Sequence, residues 1–523
     1  MSQKKLLIIH NKKSIEINQK DISYINFGDG IVNIPNSKKI TLTKYRRIYY
    51  DKYKKLLIKN LSKKVKESEK SAKFINELEI FNLRNDKNAN IDLILNILII
   101  SEIIKTENFK DIMLITDNVL VKDIFTEAYP SIKIKFEGTQ FIKIKFVLLK
   151  IIIFYIKAFF LVIFMKIFVQ NKNIKKRFKE ACLSMYPFFY KGNKESFFNN
   201  KNKIKFNFLL SDETHLNLSF LKIVKVLIEI KNDDLVHIES FITIKSLIKS
   251  FLKSILYYLI SLRLNFQFKL NNLDLSSFYK NYFFLGIINR CKLNIYEESL
   301  VKALNKFNIK KFNMYLFEYN FGFFINNLIN KKINNINVVG YQHGIFSSQL
   351  LWLDVLLENK NKFNYLPSEI NSFNKYSFND YKSKINSNNI KINLLNKKKS
   401  LLSSQYLQSS KKIYSKNILV LPGTHDTNDI YHAIKEADIS SKNKNVFYLK
   451  FHPKNIIDMK STNNLKIIKS IKGKKFSNVL ISPTSTLVYD FINLKKDFMV
   501  YNIDHKQNLI STKLKKNIKF FYF

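Results

Sequence analysis

Four short loops gather the residue types that do chemistry. An apolar, β-branched run ends at Gly340 and gives way to Tyr341-Gln342-His343-Gly344, in a chain with only eight histidines and ten glycines among 523 residues. Histidine titrates near neutrality, so His343 is a candidate acid, base or phosphate donor. Gly340 and Gly344 suit a sharp turn or a close backbone approach to a ligand. Next comes Leu421-Pro422-Gly423-Thr424-His425-Asp426, where Thr424, Asp426 or Thr427 is placed to cap a helix whose N-terminus attracts anions. In Lys450-Phe451-His452-Pro453-Lys454 two cations flank a histidine, a set fit to hold a diphosphate. Ser482-Pro483-Thr484-Ser485-Thr486 puts four hydroxyls into five residues at a helix start. Hydroxyls and free backbone N–H groups there make a phosphate cradle. Asp490, four residues after Thr486 and on the same helical face, is placed to accept from ribose hydroxyls. Each loop alone also reads as an ordinary turn or cap. Together they hold three of eight histidines, three of ten glycines and three of seven prolines, which points to one site.

The elements that must position these loops alternate between strand and helix. IDLILNILIISEIIKT reads as a buried helix, IMLITDN as a strand, VKDIFTEAY as a helix and IKIKFEG as a strand. FNMYLFEYN is a strand ending near Glu318, followed by a helix and then by INVVGYQHG. NILVLPG, NVFYLKFHP, NVLISPTS and FMVYN repeat the pattern. Alternation of this kind predicts an α/β fold with parallel sheets, in which ligands bind beyond the carboxyl ends of the strands. Residues 366–415 are rich in Ser, Asn and Lys with little apolar periodicity and read as a linker. It would divide an N-terminal α/β lobe, 1–365, from a C-terminal lobe, 416–523.

The net charge of +47 accompanies a composition leaning on Lys, Asn, Ile and Phe, all with A/T-rich codons. The lysines are spread through the chain and no nucleic-acid module is recognisable, so the expected anionic partners are phospholipid and a nucleotide-bearing substrate rather than nucleic acid. Cys182 and Cys291 have no metal-type spacing and fit a reducing, cytoplasmic setting. The N-terminal LLII core is too short for a signal peptide. No G-x-G-x-x-G loop is present, which disfavours a dinucleotide enzyme. No convincing acidic metal motif stands at a strand end, and Asp212-Glu213 lies in a polar loop, so metal-independent chemistry without a cofactor is expected.

Residues 146–169 are long and apolar enough for a bilayer, but Lys150, Lys157 and Lys166 interrupt them. A helix or hairpin lying in the membrane interface with snorkelling lysines is expected, with a buried core helix and a true span as the other readings. In 244–262, Lys245, Lys249 and Lys253 recur every four residues opposite Leu247, Ile248, Phe251, Leu252, Ile255 and Leu256, giving a basic amphipathic helix.

The order of the loops, YLFEYN, GYQHG, LPGTHD, KFHP and SPTSTLVYD, resembles the GT-B glycosyltransferases of bacterial capsule and lipopolysaccharide synthesis over roughly residues 310–505. The resemblance implies a pair of Rossmann-type lobes facing a cleft, in which the apolar, lysine-bearing segment 146–169 would be a membrane-docking insert of the N-terminal lobe. It implies a nucleotide-sugar donor of hexosyl or sialyl/Kdo type and a polysaccharide or lipid-linked acceptor, at the cytoplasmic face of an anionic inner membrane. Carried onto this sequence, His452 with Pro453 and Lys454, and Ser482, Thr484, Ser485 and Thr486, would bind phosphate. Asp490, where many relatives have Glu, would hold the ribose. Gly344, Gly423, Thr424 and His425 would line the donor site, and Glu318 or His343 would be the general base. A glycerophospho-type transferase on the same fold and a non-catalytic membrane scaffold remain the other readings.

Overall fold

The structure is a computed structural model. It describes residues 5–11, 15–17, 22–28, 30, 32–69, 73–83, 91–138, 146–168, 178–185, 190–191, 194–195, 203–211, 219–229, 235–333, 335–342, 344–346, 350–359, 364–385, 390–395, 417–423, 426–440, 445–451, 460–471, 474, 476–493, 495, 497–506, 508, 510, 514 and 518–522.

Three parallel sheets organise the chain. The first holds β1 (Lys5–His10), β2 (Ile22–Asn26), β3 (Lys38–Lys39), β4 (Asp111–Thr116) and β5 (Lys133–Phe136), in the order β3-β2-β1-β4-β5. The second holds β6 (Glu180–Ser184), β7 (Ile204–Asn207), β8 (Leu235–His237), β9 (Lys311–Met314), β10 (Asn337–Tyr341), β11 (Glu369–Ser372) and β12 (Lys391–Leu394), in the order β8-β7-β6-β9-β10-β11-β12. The third holds β13 (Asn417–Leu421), β14 (Val446–Leu449), β15 (Leu465–Ile467), β16 (Asn478–Ile481), β17 (Met499–Asn502) and β18 (Lys519–Tyr522), in the order β15-β14-β13-β16-β17-β18. Each sheet winds outward from its first strand and then doubles back, the order of dinucleotide-binding folds. The switch points lie between β1 and β4, β6 and β9, and β13 and β16, all paired in parallel.

The central strands are apolar without alternation, as strands covered on both faces must be: Leu419, Val420 and Leu421 of β13 are buried, as are Leu480 and Ile481 of β16. With few glycines, the described residues take left-handed turns mostly on asparagine, with Lys495 as the other non-glycine case. Asn36, Asn108, Asn271 and Asn308 have positive φ, where the short polar side chain lowers the usual penalty.

The expected lobe 1–365 therefore contains two sheets rather than one. The expected linker is also corrected over its first part, because residues 369–394 form β11, the helix Lys375–Lys384 and β12 of the second sheet. Residues 396–416 lie outside the described residues.

Fourteen helices of the described residues are labelled here in chain order: α1 (Leu42–Glu69), α2 (Lys73–Asn82), α3 (Ile91–Glu107), α4 (Val119–Ala128), α5 (Val147–Phe168), α6 (Phe220–Glu229), α7 (Ile244–Leu262), α8 (Ser276–Leu293), α9 (Tyr296–Lys306), α10 (Asn320–Lys332), α11 (Leu351–Glu358), α12 (Lys375–Lys384), α13 (Thr427–Ser440) and α14 (Leu487–Asn493). The helix expected as a membrane insert, α5, packs Val147, Ile151, Phe154, Ala158 and Leu161 into the same core as Ala181, Cys182 and Phe206 of the second sheet. It is a structural helix of that lobe with one face left outside.

Polar contacts tie helices within the second-lobe core and join the first and third lobes. Arg290 of α8, almost fully buried, meets Glu77 of α2 and Glu297 of α9 at 2.9 Å each, and Lys331 of α10 reaches Glu77 at 3.2 Å. Asp504, beyond β17, accepts the backbone N–H groups of Leu42 and Thr43 at 2.8 Å and so caps α1 from the third lobe. Arg46 donates to the carbonyl of His505 at 2.9 Å.

Candidate functional site

At the switch point of the third sheet, the loops after β13 and β16 touch. The meeting point is Asp426. It accepts from the Gly423 N–H at 2.7 Å, from the Tyr501 hydroxyl at 2.8 Å and from the Ser482 hydroxyl. Ser482 Oγ in turn lies 2.8 Å from Thr484 Oγ1 and accepts the Thr484 N–H at 3.1 Å. Burial pushes the Asp426 carboxyl above its ordinary value, although these three donors pull it back. Gly423 has a packing reason: a Cβ there would stand 2.4 Å from Thr484 Oγ1 and 2.9 Å from Ser482 Oγ. No other residue lets the two loops approach so closely.

Ser482 thus belongs to the anchor, buried completely. Outside it lie Thr484 and Ser485, half-buried, Thr486, exposed, and Asp490, half-buried. Ser485 Oγ accepts the Leu487 N–H at 3.3 Å, which holds the start of α14. The structure brings Gly423, Ser482, Thr484 and Ser485 together as the sequence suggested. The sequence marks Asp426 only as a cap and does not mark Tyr501. The signal for Asp426 was its place three residues after a strand-ending glycine. Thr424, His425, His452, Pro453 and Lys454 lie outside the described residues.

The carboxyl edge of the second sheet is built differently. Gln342, at the end of β10, is buried and fully engaged. Its carbonyl oxygen accepts from Ser372 Oγ at 2.7 Å, from the Phe373 N–H at 3.3 Å and from Asn374 Nδ2 at 3.3 Å. Its amide nitrogen donates to Ser377 Oγ and to the Gly344 carbonyl, both at 2.8 Å. Gln342 ties the ends of β10 and β11 to the first turn of α12, which Asn374 caps through the Ser377 N–H at 2.8 Å. Gly340 is needed for packing, since a Cβ would meet the Phe317 ring and Pro367, whereas Gly344 has open space around it. His343 lies outside the described residues.

Glu318 follows β9 and is 2% exposed, with its carboxylate accepting from the Tyr381 hydroxyl of α12. Phe346 stacks on Tyr381 with ring centroids 3.7 Å apart. This puts Glu318 inside the lobe, under α12, rather than on a cleft wall where an acceptor-side base was expected.

The two edges meet. Ile345, one residue beyond the GYQHG loop, is buried in the core of the third lobe with Leu419, Leu421 and Ile481. Tyr376 of α12 stacks on Tyr489 of α14 at 6.1 Å. The helix anchored by Gln342 therefore packs on the helix that begins at the hydroxyl loop.

A second buried set sits at the outer strands of the same lobe. Glu239 accepts the Leu210 N–H at 3.0 Å and the Tyr296 hydroxyl at 2.5 Å, and burial pushes its carboxyl up to about 7. His237, close to Asn207 at 3.3 Å, is pushed down to about 3 by burial and stays neutral. Among the described residues no group of three or more His, Cys, Asp and Glu is positioned to hold a metal ion. No family model matches the chain, and no curated protein matches it significantly.

Proposed function

We propose that the chain is a glycosyltransferase that moves a sugar from a nucleotide-sugar donor to a hydroxyl of a surface polysaccharide or lipid-linked glycan, with the second and third lobes acting as a GT-B-like pair. The observation that carries this reading is the carboxyl edge of the third sheet. There a buried Asp426 locks two switch-point loops together and leaves Thr484, Ser485 and Thr486 at the surface beside the second lobe. Switch-point crevices of this strand order are where nucleotides bind.

In this reading the donor phosphates lie against the hydroxyl loop, and the ribose lies toward Asp490. His452, three residues beyond β14, adds a further phosphate donor. With Glu318 buried, His343 is the base: it takes the acceptor proton as the acceptor oxygen bonds to the anomeric carbon. The bond from that carbon to the phosphate oxygen breaks, and its electron pair leaves with the nucleotide. Fixed donors at the third-lobe edge stabilise the charge that develops there. The acceptor is brought by an anionic membrane surface, which the positive charge of the chain favours.

The test is nucleotide release from a panel of nucleotide sugars and CDP-glycerol, with membrane lipid extract as acceptor. Release from a sugar donor that His343→Ala abolishes without loss of fold supports the reading. Release from CDP-glycerol alone would make the chain a polyol-phosphate transferase. Nucleotide binding with no release from any donor would leave a membrane scaffold.

A further inference from the structure

Helix α7 is inside out. Its buried residues are Ser246, Leu247, Ser254 and Ser261, while Ile248, Leu252, Leu256, Leu259 and Leu262 are each more than half exposed. Ser254 has partners outside the helix that fix this orientation, and the Ser261 hydroxyl is satisfied within the helix. Ser254 Oγ lies 2.8 Å from the Tyr155 hydroxyl, accepts from Asn294 Nδ2 at 2.9 Å and donates to the Ser250 carbonyl at 2.8 Å. Ser261 Oγ donates to the Tyr257 carbonyl at 2.7 Å. An ordinary surface helix would bury the leucines and show the serines.

Helix α5 lies alongside and does the same with its free face. Leu149, Ile153, Ile156, Phe160 and Ile167 are between 49% and 65% exposed. Tyr155 joins the two helices, its hydroxyl also donating to the Ser250 carbonyl at 2.9 Å and its ring 5.2 Å from that of Phe251. Helical periodicity sets Phe159, 40% exposed, between the Tyr155 side of α5 and its outer stripe, so the two apolar stripes share an edge. Contiguous exposed apolar surface of this extent marks an interaction site on a soluble fold.

The charges say with what. Lys150 and Lys157 border the α5 stripe on the side away from α7, by their spacing along the helix, whereas exposed Lys166, near the end of α5, lies on the Tyr155 side. Lys245, Lys249 and Lys253 border the α7 stripe on the side away from α5, and Lys249 and Lys253 reach Glu298 and Glu297 of α9 at 3.0 and 2.7 Å. An apolar strip with lysines along both outer edges, and Lys166 at one end long enough to snorkel past it, matches the acyl boundary and phosphates of an anionic leaflet.

We propose that α5 and α7 form one plateau that beds in the plane of a single leaflet of an anionic bilayer. Among the described residues α5 is the one helix long and apolar enough to cross a membrane, but it does not cross. Its other face is part of the second-lobe core, with the Tyr155 hydroxyl also held by the Cys291 carbonyl at 3.0 Å. The inference deepens the membrane part of the function proposed above and is tested without turnover, so failure of either is separable.

The experiment is flotation of the full chain with vesicles of phosphatidylcholine and phosphatidylglycerol, and with phosphatidylcholine alone. Two variants, Ile153→Asn with Phe160→Asn and Leu252→Asn with Leu256→Asn, change only exposed side chains, and their melting temperatures control for folding. Wild type is expected to float with the anionic vesicles, to be released by alkaline carbonate, and to lose binding about ten-fold or more in either variant. Leu252→Trp gives a second readout. The single tryptophan, Trp352, is 1% exposed, so a blue shift on adding vesicles reports position 252. Retention after carbonate, with the α7 variant still bound, would mean that α5 spans and would overturn the proposal. So would absence of flotation by folded protein, or self-association that the α7 variant abolishes in place of vesicle binding.

Discussion

The second and third lobes share a strand order but finish their carboxyl edges in opposite ways. In the second, the polar residues at the strand ends are sealed: the Gln342 side chain makes five hydrogen bonds and Glu318 sits under Tyr381. In the third, a sealed anchor of Asp426, Ser482 and Tyr501 supports a rim of hydroxyls that remains accessible. A polar group at a switch point is thus not by itself a ligand group. What distinguishes the edges is that α12, which starts from β11, also covers the neighbouring strand ends, whereas α14 starts from its strand and leaves a hydroxyl rim open.

The largest expected effect tests the sealed edge. Gln342→Ala removes a buried amide and leaves its partners without it, so it should lower stability by about 3 kcal/mol, read as a drop in denaturation midpoint. A change within ~0.5 kcal/mol would show that the hub does not hold the edge together.

Next is the pH dependence of the second lobe. Burial raises the Glu239 carboxyl to about 7, above its value of about 4.3 in an unfolded chain. Its contribution is present in full below about pH 4 and is lost as pH rises through about 7. The loss is on the order of 3 kcal/mol. Melting temperature should therefore fall from pH 5 to pH 8, and Glu239→Gln should flatten that part of the fall. A parallel decline in both proteins would remove Glu239 as its source.

In the third lobe, Asp426→Ala leaves three donors without an acceptor and should cost about 2 kcal/mol, whereas Asp426→Asn, which keeps the shape, should cost about half as much. Equal costs would mean that the carboxylate charge matters more than its shape. The smallest effect belongs to the rim. Ser485→Ala with Thr486→Ala should change stability by ~0.5 kcal/mol or less, because Thr486 is exposed and Ser485 contributes one long bond to the start of α14.

Much of this was legible in the sequence. The alternation of strands and helices in 91–136 is what the structure has, and that in 417–502 matches except for the short edge strand β15, because central strands and crossover helices carry unambiguous apolar runs and short edge strands do not. The convergence of Gly423 with the hydroxyl loop was also legible, since both follow adjacent strands of one sheet. Residues 369–394 misled because β11 and β12 are short, and β12 is an edge strand with exposed ends, so their apolar content resembles that of a linker. Glu318 misled because its partner, Tyr381, comes 63 residues later, and strand-end position does not reveal what will cover it. In α7 the lysine period was visible, but the burial of its serines depends on Tyr155 and Asn294, which no local pattern announces.

The central claim is that the open edge of the third lobe holds nucleotide phosphate. Calorimetric titration of the folded chain with UDP, GDP, CDP and CMP, repeated on Ser485→Ala with Thr486→Ala, tests it most directly. Binding of one nucleotide family is expected, with a loss of about ten-fold or more in the variant, as for two hydroxyl contacts to phosphate. Binding that the variant leaves unchanged, or no binding to protein shown to be folded, would contradict it.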